Sequence, residues 1–324
     1  MLESVAVVPA SRIPDLLPMD TCIDEVERSF RQVARGEANQ PLRTVIRLLG
    51  GENSFMVKPA STADPPTVGA KLLTLFPGNR SRDLPTHQGI LVLFDPGTGA
   101  LSALMDAEPI TAIRTAAASA VATRALARPD AGDLALLGSG VQARTHLEAM
   151  ACVRTLRRVR VWSPTRENRE RFAREESGRA GVPVESVETA QEAVEGADLI
   201  CTVTGAREPV LEGDWLSEGV HVNAVGASAP ETRELDGEAV LRSRLYVDRM
   251  ESALAEAGDI LIPLTDGIID RSHLEGEIGE LLEGTIDGRS SPHEVTLFKS
   301  LGLAVQDLAA ARVILERMER REDG

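Results

Sequence analysis

The chain has 324 residues, of which 43% are hydrophobic and 26% are charged, as in a soluble globular protein with two domains of ordinary size. The formal net charge of −15 argues against nucleic acid or an anionic membrane surface as a partner. No run approaches the roughly 20 apolar residues of a membrane span. The N-terminus carries no visible signal peptide and the three cysteines form no CxxC pair, so we expect a cytoplasmic protein.

The first third of the chain predicts a mainly antiparallel β unit. A short strand at residues 4–8 comes first, followed by a helix at residues 21–34 that Asp20 caps. Strand-like runs separated by proline and glycine clusters follow at residues 42–49, 54–58, 68–76, 89–94 and 100–105. Glu108 and Pro109 then favour the start of a long helix over residues 110–127.

From Asp133 onward, strand-like and helix-like segments alternate. We predict strands at residues 133–137, 158–162, 198–203, 219–224 and 243–247, with helices at residues 141–154, 166–179 and 188–195. This alternation with short connections indicates an α/β domain with a doubly wound parallel sheet. Residues 294–318 have the periodicity of a single amphipathic helix, which we expect to pack on the first domain.

The motif Gly138-x-Gly140-x-x-Ala143 stands between a predicted strand and a predicted helix. The first glycine allows a tight turn, the second lets a pyrophosphate approach the backbone, and Ala143 permits close packing of helix and strand. The helix N-terminus then offers free N–H groups to the phosphates. The motif predicts a dinucleotide site, with an ordinary glycine turn as the alternative.

The end of the next strand bears on which dinucleotide binds. NAD enzymes usually carry an acidic residue there for the ribose 2′-hydroxyl, but this strand ends in Ser163-Pro-Thr165-Arg166. Two hydroxyls and a guanidinium suit a 2′-phosphate. We therefore predict that NADP(H) is preferred and that NAD(H) remains possible; the alternative is that Arg166 is a solvated surface residue.

Basic residues stand within apolar patterns at three places. Arg43 and Lys71 lie on strand-like runs, and Arg114 lies near the start of the long helix. A buried cation needs a partner, because burying it alone costs several kcal/mol. If the three converge, the arginines can hold a carboxylate and the lysine can serve as a titratable donor. Separate ion pairs are the alternative.

Several segments in order resemble one known family. They include Gln40-Pro-Leu-Arg-Thr-Val45, Gly69-Ala-Lys71, Ile110-Thr-Ala-Ile-Arg-Thr-Ala-Ala, Leu137-Gly-Ser-Gly-Val-Gln142, His221-Val-Asn-Ala-Val-Gly-Ala-Ser228 and Phe298-Lys-Ser-Leu-Gly302. From about residue 20 to 315 the chain is similar to the ornithine cyclodeaminase and mu-crystallin family. The resemblance implies a Rossmann domain at residues 116–299. It also implies an α+β substrate-binding and dimerisation domain, at residues 1–115 with 300–324, and a homodimer.

The resemblance also implies roles for individual residues. Arg43, Lys71 and Arg114 match substrate-carboxylate and catalytic positions, and we place Leu301 in the same substrate site. The expected cofactor residues include those of the glycine turn and of the strand end. They are Arg114, Thr115, Gly138, Gly140, Val141, Gln142, Ser163, Thr165, Arg166, Thr204, Ala224, Val225 and Ser300.

Two departures from the family pattern bear on the reaction. Cyclodeaminases of this family carry an aspartate at Ser228 and a glutamate at Met56, whereas mu-crystallin-like members, by resemblance, have the serine and reduce cyclic ketimines. A serine hydroxyl ionises far above neutral pH without help. We therefore expect reduction of a small cyclic ketimine carboxylate, such as Δ1-pyrroline-2-carboxylate or its six-membered homologue. Lys71 would hold or donate a proton, and Ser228 would hydrogen-bond substrate or nicotinamide.

Alternatives remain at this point. Lys58 replaces a methionine common in relatives, and would either bind a second acidic group of the substrate or pair with a nearby glutamate. Lys299 receives no chemistry, and the five histidines have no metal-ligand spacing. The competing functions are an ornithine cyclodeaminase, an alanine dehydrogenase-like oxidoreductase and a non-catalytic protein that binds a small ligand with its cofactor.

Overall fold

The computed structural model describes residues 5–49, 51–82, 84–179 and 181–322. The chain forms two compact units, one of Met1–Arg114 with Leu303–Gly324 and the other of Thr115–Gly302. No helix within the described ranges is both long enough and apolar enough to cross a membrane.

The elements are numbered along the chain. The strands are β1 Ala6–Val8, β2 Ala38–Asn39, β3 Thr44–Arg47, β4 Ser54–Ala63, β5 Pro66–Leu75, β6 His87–Phe94, β7 Leu101–Asp106, β8 Asp133–Leu137, β9 Arg158–Trp162, β10 Val184–Ser186, β11 Leu199–Thr202, β12 His221–Ala224, β13 Ser243–Val247, β14 Leu274–Glu277 and β15 Val295–Lys299. The α-helices are α1 Ile13–Leu16, α2 Met19–Ala34, α3 Ala107–Leu126, α4 Val141–Val153, α5 Arg166–Glu176, α6 Ala190–Val194, α7 Gly237–Leu241, α8 Met250–Glu256, α9 Gly258–Thr265, α10 Ile278–Leu282 and α11 Ala304–Glu322.

The first unit contains a sheet in the order β1-β7-β6-β5-β4-β2, with β3 also paired to β4. Only β1 and β7 run parallel among these pairs, so the antiparallel unit expected from the sequence is confirmed. Helix α11 packs against β4, β5, β6 and α2, with Val305 and Leu308 buried in the core. The C-terminal helix therefore completes the core of this unit.

The second unit contains an eight-stranded parallel sheet in the order β10-β9-β8-β11-β12-β15-β13-β14. The strand order reverses at β8, which lies between β9 and β11. Its strands carry continuous apolar runs, as Leu134–Leu137 illustrates, because both faces of a parallel sheet are covered. The predicted doubly wound α/β fold is confirmed, and in such sheets ligands bind outside the carboxyl ends of the strands at the reversal.

The prediction of one helix over residues 294–318 is wrong. The first part is strand β15, which lies between β12 and β13, and the helix begins only at Ala304. All five residues of β15 are buried, so its apolar run cannot be separated from a buried helix by periodicity alone. Gly302 adopts a φ of +79° between the two elements, a conformation that glycine allows at little cost.

Smaller differences concern element ends. Helix α2 begins at Met19 after Pro18, so Asp20 lies in its first turn. The prediction that Asp20 caps this helix is wrong. Strand β4 continues to Ala63, beyond the predicted end at residue 58. Strands β2, β10 and β14 were not predicted, since each has four residues or fewer. Residue 4 of the first predicted strand is outside the described residues.

Candidate active site

The glycine turn after β8 has the geometry of a phosphate-binding loop. Gly138 has a φ of +124°, and a Cβ at this position would lie 2.7 Å from the carbonyl oxygen of Val203. A Cβ on Gly140 would meet nothing within 4 Å, so the space beside this residue is open. Gly140 is also the N-cap of α4, and it has no side chain that could accept a hydrogen bond from the first N–H groups of the helix. The first N–H groups of α4 are therefore available to an anionic group, and these residues fit a dinucleotide pyrophosphate.

Other predicted cofactor residues lie at the carboxyl edge of the same sheet. Thr204 follows β11, Ala224 ends β12 with Val225 next, and Ser300 follows β15. The backbone N–H of Val225 donates to Thr202 O at 3.0 Å, and that of Ser300 donates to Ala224 O at 3.0 Å. The parallel order of the strands thus brings these positions to one edge.

Two side-chain atoms at this edge are buried without a partner. Gln142 Oε1 and Ser300 Oγ make no hydrogen bond within the described ranges. Buried polar atoms are nearly always satisfied, so two orphaned atoms along the carboxyl edge of the sheet, one of them in the helix that follows the glycine loop, fit a ligand with polar groups. Of the remaining predicted cofactor residues, Val141 is exposed at the start of α4 and Thr115 is buried in α3.

The end of β9 bears hydroxyl and guanidinium groups, as the sequence indicates. Ser139 Oγ donates to Ser163 Oγ at 2.9 Å, which links this strand end to the glycine loop. Thr165 is the N-cap of α5, and Arg166 begins that helix. The Arg166 side chain is 69% exposed, and its Nε lies 2.6 Å from Glu170 Oε1. Arg169, which was not predicted, is buried and donates from Nη1 to Ser163 O at 3.1 Å.

Glu234, a buried carboxylate that was not predicted from the sequence, accepts hydrogen bonds from several loops at this edge of the sheet. Glu234 is fully buried and accepts hydrogen bonds from Thr202 Oγ1 at 2.8 Å, Thr204 N at 2.6 Å, Thr204 Oγ1 at 2.7 Å and Gly226 N at 2.6 Å. Burial, reinforced by nearby Asp259, raises the pKa of Glu234 above its ordinary value. Glu234 thus fixes the backbone on both sides of the strand ends that carry the predicted cofactor residues.

Lys299 is the last residue of β15. It is fully buried and donates from Nζ to Asp259 Oδ2 at 2.7 Å and to Ala227 O at 2.6 Å. Asp259 in turn accepts from the backbone N–H groups of Glu234 at 2.7 Å and Leu235 at 3.0 Å. The pair therefore holds the segment that leads into Ser228, which is itself exposed.

Leu301 is held by a third buried carboxylate of the same unit. Asp248 follows β13 and accepts from the N–H groups of Leu301 and Gly302, both at 2.6 Å. This contact fixes the backbone at the predicted substrate residue.

In the first unit, Lys71 and Arg114 converge on one acid. Lys71 Nζ lies 2.8 Å from both carboxylate oxygens of Asp307, and Arg114 Nε lies 2.9 Å from Asp307 Oδ1. Lys71 Nζ also donates to Thr111 Oγ1 at 3.3 Å, while Arg114 Nη1 donates to Gln306 Oε1 at 3.2 Å. The alternative of separate ion pairs is therefore wrong for these two cations.

Asp307 and Gln306 were not singled out in the sequence. The available signal was a polar pair inside the apolar stripe of the C-terminal helix, between Val305 and Leu308. Both polar residues are buried, and Gln306 Nε2 has no hydrogen-bond partner in the described part of the chain. The cluster therefore offers an unused N–H donor next to two cations.

Burial controls the protonation of this cluster. It lowers the pKa of Lys71 to about 7, a shift that Asp307 opposes and that Arg114 and Lys58 reinforce. The neighbouring cations hold the pKa of Asp307 below its ordinary value in spite of burial. At neutral pH Asp307 is thus ionised, and Lys71 can gain or lose its proton.

The sheet register aligns the other predicted substrate residues with Lys71. Lys58 on β4 is directly opposite Lys71 on β5, and Met56 lies two residues before it on the same face. Arg43 immediately precedes β3, next to Thr44, which pairs with Val57. Arg43 and Lys58 are both half-buried. Lys58 and Lys71 thus share one face of the sheet, and Arg43 lies at the start of the strand next to β4.

Comparisons with known proteins identify the family of this chain. The model of the ornithine cyclodeaminase/mu-crystallin family matches residues 4–322. The chain belongs to this family. Ketimine reductase mu-crystallin of Mus musculus is 42% identical over 288 residues, which are 89% of this chain and 88% of that protein. The predicted family is therefore confirmed.

Two solved structures of family members share the fold. The Δ1-pyrroline-2-carboxylate reductase of Thermococcus litoralis, in complex with NADH and L-proline, is 39% identical with a TM-score of 0.95, over 98% of each chain. An archaeal alanine dehydrogenase dimer with bound NAD is 31% identical with a TM-score of 0.92, over 98% of this chain and 97% of the other. Among the described residues, no group of three or more histidine, cysteine, aspartate or glutamate side chains could hold a metal ion.

Proposed function

We propose that this family member is an NAD(P)H-dependent reductase of small cyclic ketimine carboxylates, with Δ1-pyrroline-2-carboxylate and Δ1-piperideine-2-carboxylate as representative substrates. The observation that carries the proposal is the buried Lys71–Asp307–Arg114 cluster, which combines a titratable ammonium with a guanidinium. The predicted class of enzyme, an NAD(P)-dependent reductase of C=N bonds, is confirmed by the activities named for its relatives.

The first role of the cluster is to bind the substrate carboxylate. Arg114 is held in place by Asp307 and Gln306, which leaves part of its guanidinium fork for a second anion. Gln306 Nε2 is a further donor, and Arg43, just before β3, is assigned to the same carboxylate in this proposal. Binding of the carboxylate fixes the orientation of the ring, and orientation supplies a large share of the acceleration.

The second role is proton transfer. Reduction of an imine adds a hydride to the carbon and a proton to the nitrogen, and a bound reduced nicotinamide would supply the hydride. Lys71 Nζ is the group that holds the proton, because its pKa of about 7 leaves it charged in part and able to give the proton up. Asp307 stays ionised and keeps that proton on Lys71 until the substrate takes it.

The dinucleotide is held by the second unit in this proposal. Gly138, Gly140 and the start of α4 bind the pyrophosphate, with Gln142, Thr204, Ala224, Val225 and Ser300 along the sheet edge. NADP(H) is preferred over NAD(H), because none of the first four residues after β9 is acidic and Arg166 begins α5 close to Ser163 and Thr165. The exposed contact of Arg166 with Glu170 is a surface ion pair, which contributes little and can be exchanged for a phosphate.

Ornithine cyclodeamination is not favoured. It requires oxidation, loss of ammonia and re-reduction, and thus additional proton transfers. The family pattern supplies acids for them where this chain has Met56 and Ser228. Met56 lies on the same sheet face as Lys58 and Lys71, so a thioether replaces a carboxylate there. Ser228 is kept as a hydrogen-bonding residue for substrate or nicotinamide.

The assembly proposed is a homodimer formed through the first unit. Strand β3 lies at the sheet edge and exposes Val45 and Ile46, at 48% and 51% of their surfaces. Exposed apolar residues on an edge strand favour association. Light scattering of the purified protein tests this; a monomer at micromolar concentration would contradict it.

A cytoplasmic location, inferred from the cysteine content, stays a prediction.

The experiment that tests the function is a substrate screen that follows oxidation of NADPH and NADH. Purified protein is mixed with each ketimine and with pyruvate plus ammonia, and separately with ornithine and NADP+ or NAD+, where release of ammonia is measured because cyclodeamination regenerates the cofactor. We expect ketimine-dependent oxidation, faster with NADPH. Turnover with pyruvate and ammonia alone would indicate an alanine dehydrogenase, and turnover with ornithine alone a cyclodeaminase. Ligand binding without any turnover would indicate a binding protein.

A further inference from the structure

The carboxylate of Glu234 joins two loops at the carboxyl edge of the parallel sheet. Its Oε1 accepts from the backbone N–H of Thr204, at 2.6 Å, in the loop after β11. Its Oε2 accepts from the backbone N–H of Gly226, also at 2.6 Å, in the loop after β12. The hydroxyls of Thr204 and Thr202 complete four hydrogen bonds to a side chain that is fully buried. Each carboxylate oxygen thus holds the backbone of one loop.

The two loops approach each other backbone to backbone at this point. A Cβ on Gly226 would lie 2.1 Å from Thr204 O and 2.5 Å from Glu234 Oε1. Only glycine therefore fits at residue 226 while the carboxylate bridges the loops. The separation of the two loops is set by one carboxylate and one glycine.

A buried ion pair holds the same segment from the other side. Lys299 Nζ donates to Ala227 O at 2.6 Å and to Asp259 Oδ2 at 2.7 Å. Asp259 Oδ1 accepts in turn from the backbone N–H of Glu234 at 2.7 Å. Since Ala227 directly follows Gly226, these contacts close a ring, and the loop after β12 is held through both an N–H and a C=O group. Buried polar networks that are bonded in this way favour a single rigid arrangement.

The place of these loops in the sheet indicates which part of a dinucleotide they would face. In a doubly wound sheet the dinucleotide lies across the strand reversal, with its adenosine ribose at the end of the strand that follows the glycine motif. That strand is β9, on one side of β8, whereas β11 and β12 lie on the other side. Thr204 and Val225, which the family resemblance assigns to the cofactor, would therefore belong to the nicotinamide half of the site.

We infer that Glu234 is a positioning residue for the nicotinamide half of the cofactor, because it holds the loops after β11 and β12 at a fixed separation. This inference rests on the proposed function, since it concerns how the same site binds its dinucleotide. Both oxygens of Glu234 are occupied, so the residue acts through Thr204 and Val225. A loop that is ordered before binding costs the complex nothing, whereas a loop that the ligand must order lowers the affinity.

The test compares the affinity for a whole reduced dinucleotide with the affinity for its adenosine fragment, NADPH with 2′,5′-ADP and NADH with 5′-ADP. In Glu234→Gln one oxygen becomes an NH2 group, which cannot accept from the backbone N–H that faces it. We expect Kd for the dinucleotide to rise about tenfold, the effect of one buried N–H left without an acceptor. Kd for the fragment is expected to stay unchanged, since the glycine loop and the end of β9 are intact.

Asp236→Ala is the matched control in the same segment. Asp236 accepts from the backbone N–H groups of Gly213 at 3.0 Å and Ala239 at 2.7 Å, and neither is a predicted cofactor residue. Its loss is expected to lower the melting temperature and to leave both Kd values unchanged. Thr202→Val is a milder variant, which removes one hydroxyl donor from Glu234 Oε2 and should raise Kd for the dinucleotide about threefold.

The outcomes separate the inference from the proposed function. Equal rises of the two Kd values in Glu234→Gln, or no rise in either, overturn the inference, because Glu234 would then support the whole domain or leave the site unaffected. A rise for the dinucleotide alone that is as large in Asp236→Ala also overturns it. If Glu234→Gln does not fold, an unchanged dinucleotide Kd in Thr202→Val overturns it. A wild-type protein that binds neither reduced dinucleotide overturns the proposed function, and the inference with it.

Discussion

Lys71 and Asp307 are 236 positions apart in the sequence, yet Lys71 Nζ lies 2.8 Å from both carboxylate oxygens of Asp307. Both side chains are almost entirely buried, at 3% and 1% exposure. Lys71 comes from a central strand and Asp307 from the C-terminal helix that packs on it. Through this ion pair, the C-terminal helix contributes a carboxylate to the proposed active site.

The pH dependence of the reaction follows from Lys71. Its pKa of about 7 lies below the ordinary 10.5, so the active protonated form is present below this value and is lost as the pH rises through it. We expect kcat/KM for a ketimine to fall about tenfold per pH unit above neutrality. The Lys71→Arg variant keeps its charge and controls for titration of the ketimine itself. A wild-type profile that matches this variant would remove Lys71 from the proton transfer.

Asp307→Asn tests the electrostatic role of the partner. Asp307 raises the pKa of Lys71 against the effect of burial, so its loss is expected to move the falling limb of the profile to lower pH. Loss of one partner in a buried ion pair should also lower the free energy of unfolding by about 3–5 kcal/mol. Glu316→Gln on the same helix is the control, because its ion pairs are at the surface and contribute at most about 1 kcal/mol. An unshifted limb in folded Asp307→Asn would contradict this role.

Gly140→Ala tests the dinucleotide loop without disturbing the fold. A methyl group at Gly140 meets no protein atom within 4 Å but would occupy the space that we assign to the pyrophosphate. We expect an unchanged melting temperature and an increase in Kd for NADPH on the order of tenfold or more. Gly178→Ala, also with open space around it, is the matched control and should leave both quantities unchanged. Equal NADPH affinity in the two variants would place the cofactor elsewhere.

Arg166→Ala tests the cofactor preference. The ratio of kcat/KM for NADPH to that for NADH is expected to exceed one in the wild-type protein and to fall about tenfold in the variant, through loss of a charge-assisted contact. Arg171→Ala, on the same helix but bonded to Asn168, serves as the control. Equal kcat/KM for NADH and NADPH in the wild-type protein would show that Arg166 is a solvated residue paired only with Glu170.

The sequence was sufficient for the parts of the fold that have local signals. The glycine turn, the alternation of strands and helices, and the antiparallel unit each follow from spacing within a few residues. Strand β15 was mistaken for helix because an apolar run buried on both faces has no distinguishing period. Gly302, a residue that commonly lies between secondary-structure elements, was the signal that could have separated β15 from α11.

Two cations of the buried cluster, Lys71 and Arg114, were singled out from the sequence, whereas its anion was not. Arg43, Lys71 and Arg114 were recognised because basic residues in apolar runs demand partners, but nothing in the sequence names those partners. Asp307, Glu234 and Asp259 come from distant segments, and only the packing of the chain brings each to its donors. Long-range ion pairs are a property of the folded sheet and helix contacts, which periodicity does not encode.

The most direct test of the account compares the wild-type protein with Lys71→Met in the reduction of Δ1-piperideine-2-carboxylate by NADPH, at saturating cofactor. We predict turnover by the wild-type protein and a loss of kcat/KM by a factor of about 10²–10⁴ in the variant, the contribution of a positioned proton donor. NADPH affinity should be the same for both proteins, since the dinucleotide loop is unchanged. A Lys71→Met variant that reduces the ketimine at the wild-type rate would contradict the account.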